Sequence, residues 1–355
     1  MTMSTTQAEI VLHSKDLAAD MAFLTSLGFR LHQIYPSDNP SVARMSGHGL
    51  SIRLDCGAQP VEHVIHLLTD EPERFPEGEL RAPNGTLFKL VPKAYTLKMP
   101  QTQHQFEVRR LRDKAPWVIG RAGMLYRDLV PNRLGGSIIA SHIRIPDGGP
   151  VPDMVHYHTT GFQLIYCYKG WVKLVYEDQG PPFILRAGDC VTQPPEIRHR
   201  VLEASDALEV IEIGVPSDHM TTIDHDMELP NGEVNPEREF QGQVFCHHQL
   251  ESATWQPWLG TPLEFRDTGI GEATRGEASV KVFRPIADTL RPFMLRHESD
   301  IWFAFVLEGV LSLEANGATH ALQAGDAFVL PPDFPAAVKS ASHDLELLEV
   351  VLPGN

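Results

Sequence analysis

The sequence is short of cysteine, of positive charge and of long apolar runs. Its four cysteines, Cys56, Cys167, Cys190 and Cys246, stand far apart with no C-x-x-C pair. That spacing argues against a disulfide framework and against a cysteine zinc site, and leaves free buried thiols. No apolar stretch reaches the roughly 18 residues that a membrane span needs, and the N-terminus lacks a basic stretch followed by an apolar one. No membrane partner is expected, and the chain reads as cytoplasmic. Lysine and arginine number 30 against 46 acidic residues, for a formal charge of −16. The deficit is uneven, since residues 1–135 hold 16 basic and 14 acidic side chains and residues 136–355 hold 14 and 32. So acidic a region argues against nucleic acid as a partner, because phosphate binding needs a positive field. The short basic run Arg109, Arg110, Arg112 and Lys114 reads as a solvated bridging segment. Also missing are a G-x-S-x-G elbow, a P-loop and a G-x-G-x-x-G turn after a strand, so no serine-hydrolase or nucleotide chemistry competes.

A chain of 355 residues with 42% apolar content has room for more than one core. From residue 136 onward, short β-rich runs such as Ile138–Ile145, Gln163–Tyr168 and Trp171–Tyr176 alternate with Gly, Pro and Asp clusters, the pattern of a sandwich or barrel. That region is also duplicated. Tyr166 through Gly170, Ala187-Gly188-Asp189, Pro194-Pro195-Glu196 and Leu208 through Glu212 recur as Phe305 through Gly309, Ala324-Gly325-Asp326, Pro331-Pro332-Asp333 and Leu345 through Glu349. Most of the match, including Pro216 onto Pro353, holds at one offset of 137 residues, so two copies of one β-unit follow each other. The expected division is a first module at 1–95, a bridge at 96–135, one barrel at 136–217, a connector at 218–275 and a second barrel at 276–355. Trp255 and Trp258 in the connector are expected to pack it onto a barrel.

The chemistry concentrates in the first copy. His156 and His158 flank Tyr157, and residues two apart on a strand share a face, so both imidazoles can project into one cavity. Gln163 follows, then Gly170; further on come Gly188, Pro194 and His199. This Gly, Pro and His punctuation resembles the two motifs of the cupin superfamily nearly position for position. The resemblance implies a mainly β fold of tandem double-stranded β-helix (jelly-roll) barrels, with His156, His158, Gln163 and His199 as ligands of one divalent metal. Three departures stand out: Gln163 where the family has glutamate, Glu196 where it has glycine, and one extra residue between Gly149 and His156. A neutral amide leaves the centre more positive than a carboxylate would, which favours an anionic substrate.

The second copy serves as an internal control. His158 falls on His297, but His156 falls on Leu295, Gln163 on Trp302 and His199 on Ala336. That barrel is expected to be metal-free, with Trp302 filling its cavity and a structural use in closing a surface. Glu212 and Glu349 recur in both copies, which suggests a scaffold role. His142, on the strand leading into the first barrel, could face the cavity as a base beside the metal or sit satisfied in the wall. Arg198 and Arg200 should point outward, and His219, His225, His247 and His248 receive no role.

The first 95 residues read differently. A strand around Glu9–His13, an amphipathic helix near Leu17–Leu27 stopped by Gly28, and strands at Phe29–Tyr35, Ser41–Met45 and Leu50–Asp55 form a small α+β unit of βαβββ order. Through Asp16-Leu17, Leu27-Gly28-Phe29 and the later Pro83-Asn84-Gly85-Thr86-Leu87-Phe88-Lys89-Leu90-Val91, it resembles the vicinal-oxygen-chelate (glyoxalase-like) family. Lys89 stands where that family places a metal-binding glutamate, and Glu9 near its usual first histidine. A cation at a ligand position repels a metal, so this module is expected to be structural or substrate-shaping.

The function these readings imply is a mononuclear non-haem metalloenzyme, foremost an Fe(II)-dependent dioxygenase of a small anionic oxygenated or aromatic substrate. Bicupins such as quercetinase and gentisate dioxygenase are the relatives by fold, and the family's habit of pairing barrels suggests a homo-oligomer, a dimer. Two other readings remain. One is an isomerase, lyase or hydrolase using Zn, Ni or Mn; the other is a non-catalytic barrel that holds a small ligand.

Overall fold

The computed structural model describes residues 7–26, 28–47, 49–59, 64–75, 80–81, 87–232, 234–287 and 291–354. Leu27 and Pro83-Asn84-Gly85-Thr86 lie outside the described residues. The molecule is mainly β.

In the N-terminal module, Asp16 caps the helix Leu17–Ser26 by accepting from the Ala19 N–H at 3.0 Å. Leu17, Met21 and Leu24 pack that helix onto Ile34, Met45, Ile52 and Leu54 of the sheet. Gly28 ends it with φ +92, a left-handed conformation that lets the Phe29 N–H reach back to the Leu24 carbonyl. The strands Gln7–His13 and Leu50–Asp55 run parallel, and Arg30–Tyr35, Val42–Gly47 and Leu50–Asp55 are antiparallel neighbours. The sheet does not stop at the module. Gln33 and Ile34 pair with Thr222 and Thr221 of the strand Met220–Ile223, so it runs directly into a sheet of the first barrel.

Each barrel is two facing sheets. In the first, the strands Phe162–Lys169, Leu208–Val215 and Ile139–Ile145 lie side by side in one sheet, and His156–Thr159, His199–Ala204 and Trp171–Tyr176 lie in the other. The first of these sheets is apolar on both faces. Ile165 and Val210 point into the barrel, while Phe162, Leu164, Tyr166, Ile211 and Ile213 point out. An apolar outer face cannot be left to water, and the second barrel covers it with Val280, Val282, Phe303, Phe305, Leu348 and Val350 in one continuous core.

Exchanged segments lock the two barrels. The strand Glu107–Arg109, from the stretch read as a bridge, pairs with Ala327–Val329 of the second barrel. The strand His247–His248, from the stretch read as a connector, pairs with Cys190–Thr192 of the first. After each donated strand a leucine seats on the Gly-Asp turn of the receiving barrel. The Leu111 N–H donates to Asp326 and the Leu250 N–H to Asp189, both at 2.8 Å. Gly325 and Gly188 have φ of +92 and +91, and a Cβ on either would lie within 3 Å of the incoming leucine. The repeated Ala-Gly-Asp motif is therefore the socket for the exchange. Two buried arginines complete the lock: Arg127 donates to the Gly325 carbonyl at 2.6 Å and Arg266 to the Gly188 carbonyl at 3.0 Å.

His142 belongs to this seam. It shares the outward face with Ala140, opposite the cavity-lining Ile143. Its ring is enclosed by Trp117, Tyr168 and Phe305. Arg127 donates to Nδ1 at 3.2 Å, so the proton sits on Nε2, which donates to Glu209 at 2.6 Å. The position of His142 corrects the expectation of a base beside the metal. Burial alone would raise the Glu209 carboxyl, but the His142 hydrogen bond and the charges on Arg144 and Lys169 hold it at about 2. A depressed carboxyl stabilises the fold above its ordinary 4.5 and loses that contribution as pH falls towards 2. Glu209→Gln should therefore cost roughly 2–3 kcal/mol at neutral pH. In urea unfolding followed from pH 7 downward, the gap between variant and parent should close below about pH 4; a gap independent of pH contradicts the assignment.

Candidate metal centre

Alternation along the strand His156–Thr159 turns His156 and His158 inward and Tyr157 out, where it lies 4.1 Å beneath the Arg198 guanidinium. His199, the first residue of His199–Ala204, is the register partner of His156 and adds the third imidazole. Ring centres stand 4.2 Å apart for His156 and His199, 5.2 Å for His156 and His158, and 5.3 Å for His158 and His199. One nitrogen from each lies within 4.8 Å of the other two.

All three rings have Nδ1 engaged. His156 donates to the Met154 carbonyl at 2.8 Å and His199 to the Ile197 carbonyl at 2.9 Å. His158 pairs with the Thr221 hydroxyl at 2.8 Å. Because a carbonyl only accepts, the first two rings carry the proton on Nδ1 and present a lone pair at Nε2. Burial, followed by the neighbouring positive groups, holds His156 and His158 well below their ordinary range, and burial takes His199 to about 4. Neutral imidazoles are the form a metal requires.

Gln163 lies on the facing sheet, on the same inward face as Ile165. Its amide N–H donates to Glu212 at 2.6 Å, while its Oε1 is buried with no hydrogen-bond partner. An orphaned buried acceptor on the inward face, tied through Glu212 to the wall of the cavity that holds the triad, is a polar group left for a ligand to satisfy. Burial pushes Glu212 up to about 7. In the second barrel Glu349 is likewise pushed to about 7 and accepts from the Trp302 indole at 2.8 Å. Both glutamates thus hold whichever side chain occupies the Gln163 position, a scaffold role. Register places Leu295 opposite Ala336, where the first barrel has His156 opposite His199. Glu196 and Asp333, at the family's glycine position, adopt φ of +66 and +55, so the backbone keeps the shape that glycine takes there.

Two functional neighbours carried no sequence signal. Arg121, in the turn Arg121–Gly123 upstream of the barrel, donates from Nη2 to His156 Nε2 at 2.9 Å and pairs through Nη1 with buried Asp153. It uses the lone pair that a metal would use, so His156 can ligate only once that contact is released. His219 packs against His158 with ring centres 5.4 Å apart, donates to the Pro216 carbonyl at 3.0 Å and meets Ser37 of the N-terminal module at 3.2 Å. The cavity is about 70 Å³, walled by Met124, Ile143, Ile165, Leu174, Val201 and Val210 beside the triad, Arg121 and Glu212. Among the described residues, no other group of three or more histidine, cysteine or acidic side chains converges in this way.

Thr221→Val deletes the hydroxyl that fixes the His158 ring. It should weaken divalent-metal binding by about 10- to 100-fold, measured by competition with a chelating dye; unchanged affinity contradicts His158 as an oriented ligand.

Residues 141–214 match the family model described as a cupin domain, and residues 296–346 match that of an EutQ-like cupin domain. No curated protein matches the sequence. Among solved structures, protein Ylba from E. coli superposes with a TM-score of 0.51 at 10% identity, over 73% of this chain and 96% of its own. Salicylate 1,2-dioxygenase from Pseudaminobacter salicylatoxidans gives 0.51 at 16% identity, over 72% and 86%. A mutant of the oxalate decarboxylase from Bacillus subtilis gives 0.51 at 14%, over 72% and 80%. Identities this low carry the fold and not the activity. The two family matches fall one on each barrel, so residues 141–214 and 296–346 are each similar to a cupin domain, and the neighbours share that fold.

Proposed function

We propose that the first barrel is a mononuclear non-haem metal centre of the dioxygenase type, acting on a small oxygenated carboxylate. The observation that carries this reading is the convergence of three neutral imidazoles with Arg121 at the same spot. His156, His158 and His199 would hold the ion, and Gln163 would offer its amide oxygen. Fe(II) suits this donor set, as do Ni, Zn and Mn. A bound metal of this kind would supply Lewis acidity and, for iron, activation of oxygen.

The protein's own groups set the preference for an anion. Neutral imidazoles, a neutral amide and a Glu212 that burial leaves only partly ionised near pH 7 leave most of the ion's charge uncancelled, and Arg121 adds a cation in contact with His156. Arg121 is placed to bind the substrate carboxylate once it releases His156, with Asp153 as its fixed second partner. Cavity size narrows the class further. About 70 Å³ is less than half the roughly 150 Å³ that holds a benzene ring, so a short-chain acid fits better than an aromatic one. The apolar walls exclude water from the reacting atoms.

The N-terminal module resembles the vicinal-oxygen-chelate family in its βαβββ order, and we assign it a shaping role. Its buried Glu9 is taken up by Arg44 at 3.0 Å and His66 at 3.1 Å. Ser37 reaches His219 behind the triad.

Oxygen uptake by the Fe(II)-loaded chain, screened against short hydroxy and keto acids with hydroxybenzoates for comparison, tests the proposal. Arg121→Gln should raise KM for the carboxylate by about 10- to 100-fold, the worth of a hydrogen bond to a charged group, with a smaller change in kcat. Turnover without oxygen uptake assigns the site to Lewis-acid isomerase, lyase or hydrolase chemistry. Equal affinity for acid and amide analogues contradicts the anion-binding role.

A further inference from the structure

The second barrel is not filled. Trp302 lies along one wall, stacked on His297 with ring centres 5.7 Å apart and its indole N–H donated to Glu349. Beside it remains a cavity of about 150 Å³, twice the size of the one in the first barrel. This corrects the expectation that Trp302 closes the interior.

The lining has a definite charge character. Lys281 and Arg296 both face this cavity, and neither has a carboxylate within ion-pair distance among the described residues. Two cations and one carboxyl, Glu349, at one cavity leave a positive balance in a region that holds 32 acidic residues against 14 basic ones. The position of Lys281 is informative. It is the register partner of Glu349, and in the first barrel the same place opposite Glu212 is held by Ser141. Where the metal ligands have been replaced by Leu295 and Ala336, a lysine ammonium has been introduced. Burial pushes Glu349 up to about 7 against the pull of the Lys281 charge, so near neutral pH it offsets only part of the charge of the two cations. Ser279, on the same face of the strand as Lys281, adds a hydroxyl, and Trp258 and Trp302 add flat apolar walls.

We propose that the second barrel is a metal-independent binding site for a small organic anion, a carboxylate up to the size of benzoate, held by Lys281 and Arg296 against the indole of Trp302. The cavity volume matches the roughly 150 Å³ known to accommodate a six-membered ring. A cation beside an aromatic wall binds a carboxylate by charge-assisted hydrogen bonds while the wall covers its apolar part. The site does not depend on the reaction in the first barrel, and it gives the degenerate copy a ligand of its own.

Calorimetric titration of the full chain with benzoate, in the presence of a chelator, tests the inference. The expected result is one saturable site per chain, quenching of tryptophan fluorescence in step with binding, and weakening as salt is raised. Lys281→Met and Arg296→Met should each weaken binding at least tenfold. His158→Ala should leave it unchanged, which separates this site from the metal centre. Arg296 is exposed at the rim, so its variant reports on binding even if Lys281→Met fails to fold. Loss of binding in His158→Ala with retention in Arg296→Met overturns the proposal, as does equal affinity for benzamide or the absence of saturable binding.

Discussion

The architecture depends on one sheet in each barrel having no polar side. Phe162, Leu164, Ile211 and Ile213 on one barrel, and Phe303, Phe305, Leu348 and Val350 on the other, would face water if the barrels stood apart. Burying a side chain of that size is worth roughly 1.5–3 kcal/mol, so the seam holds the molecule in one piece. The exchanged strands, the leucines on the Gly-Asp turns and the crossed arginines Arg127 and Arg266 add direction to what would otherwise be a non-specific apolar contact. His142 and Glu209 are polar members of the same seam, satisfied by each other.

With the outer face committed to the seam, variation between the copies falls on the inner face. There each barrel keeps the same glutamate, Glu212 or Glu349, and changes what surrounds it. The first has placed three imidazoles and an amide opposite its glutamate; the second has Leu295, Trp302 and Ala336, with a lysine beside its glutamate. The two copies share one scaffold, and differences at a few inward positions give their cavities different size and charge. The N-terminal module joins through the shared strand at Met220–Ile223 and reaches the centre through Ser37, which meets His219, and Ile34, which pairs with the Thr221 that holds His158.

The parts legible in the sequence are those with short-range signals. His156 and His158 sit two apart, so strand alternation alone put them on one face, and the Gly, Pro and His punctuation placed His199 with them. The Ala-Gly-Asp repeat announced the duplication, though not that its glycine is a socket for a leucine from the other half. That contact spans 214 residues between Leu111 and Gly325, and no local pattern encodes it. Arg121 was missed for the same reason, as a single arginine in a segment without periodicity. His142 could have been placed by the alternation used for the triad: its neighbour Ile143 faces the cavity, so His142 cannot. The space left beside Trp302 was not legible because the indole is drawn to the wall by Glu349, a pairing set by register between distant strands.

The central claim is that one barrel assembles a metal site and its duplicate does not. Anomalous diffraction at the metal absorption edge, from crystals of the metal-loaded chain, tests it most directly. The account predicts a single peak per chain, within bonding distance of Nε2 of His156, His158 and His199, with Arg121 withdrawn from His156. A peak in the second barrel, or none between the three imidazoles, would contradict it.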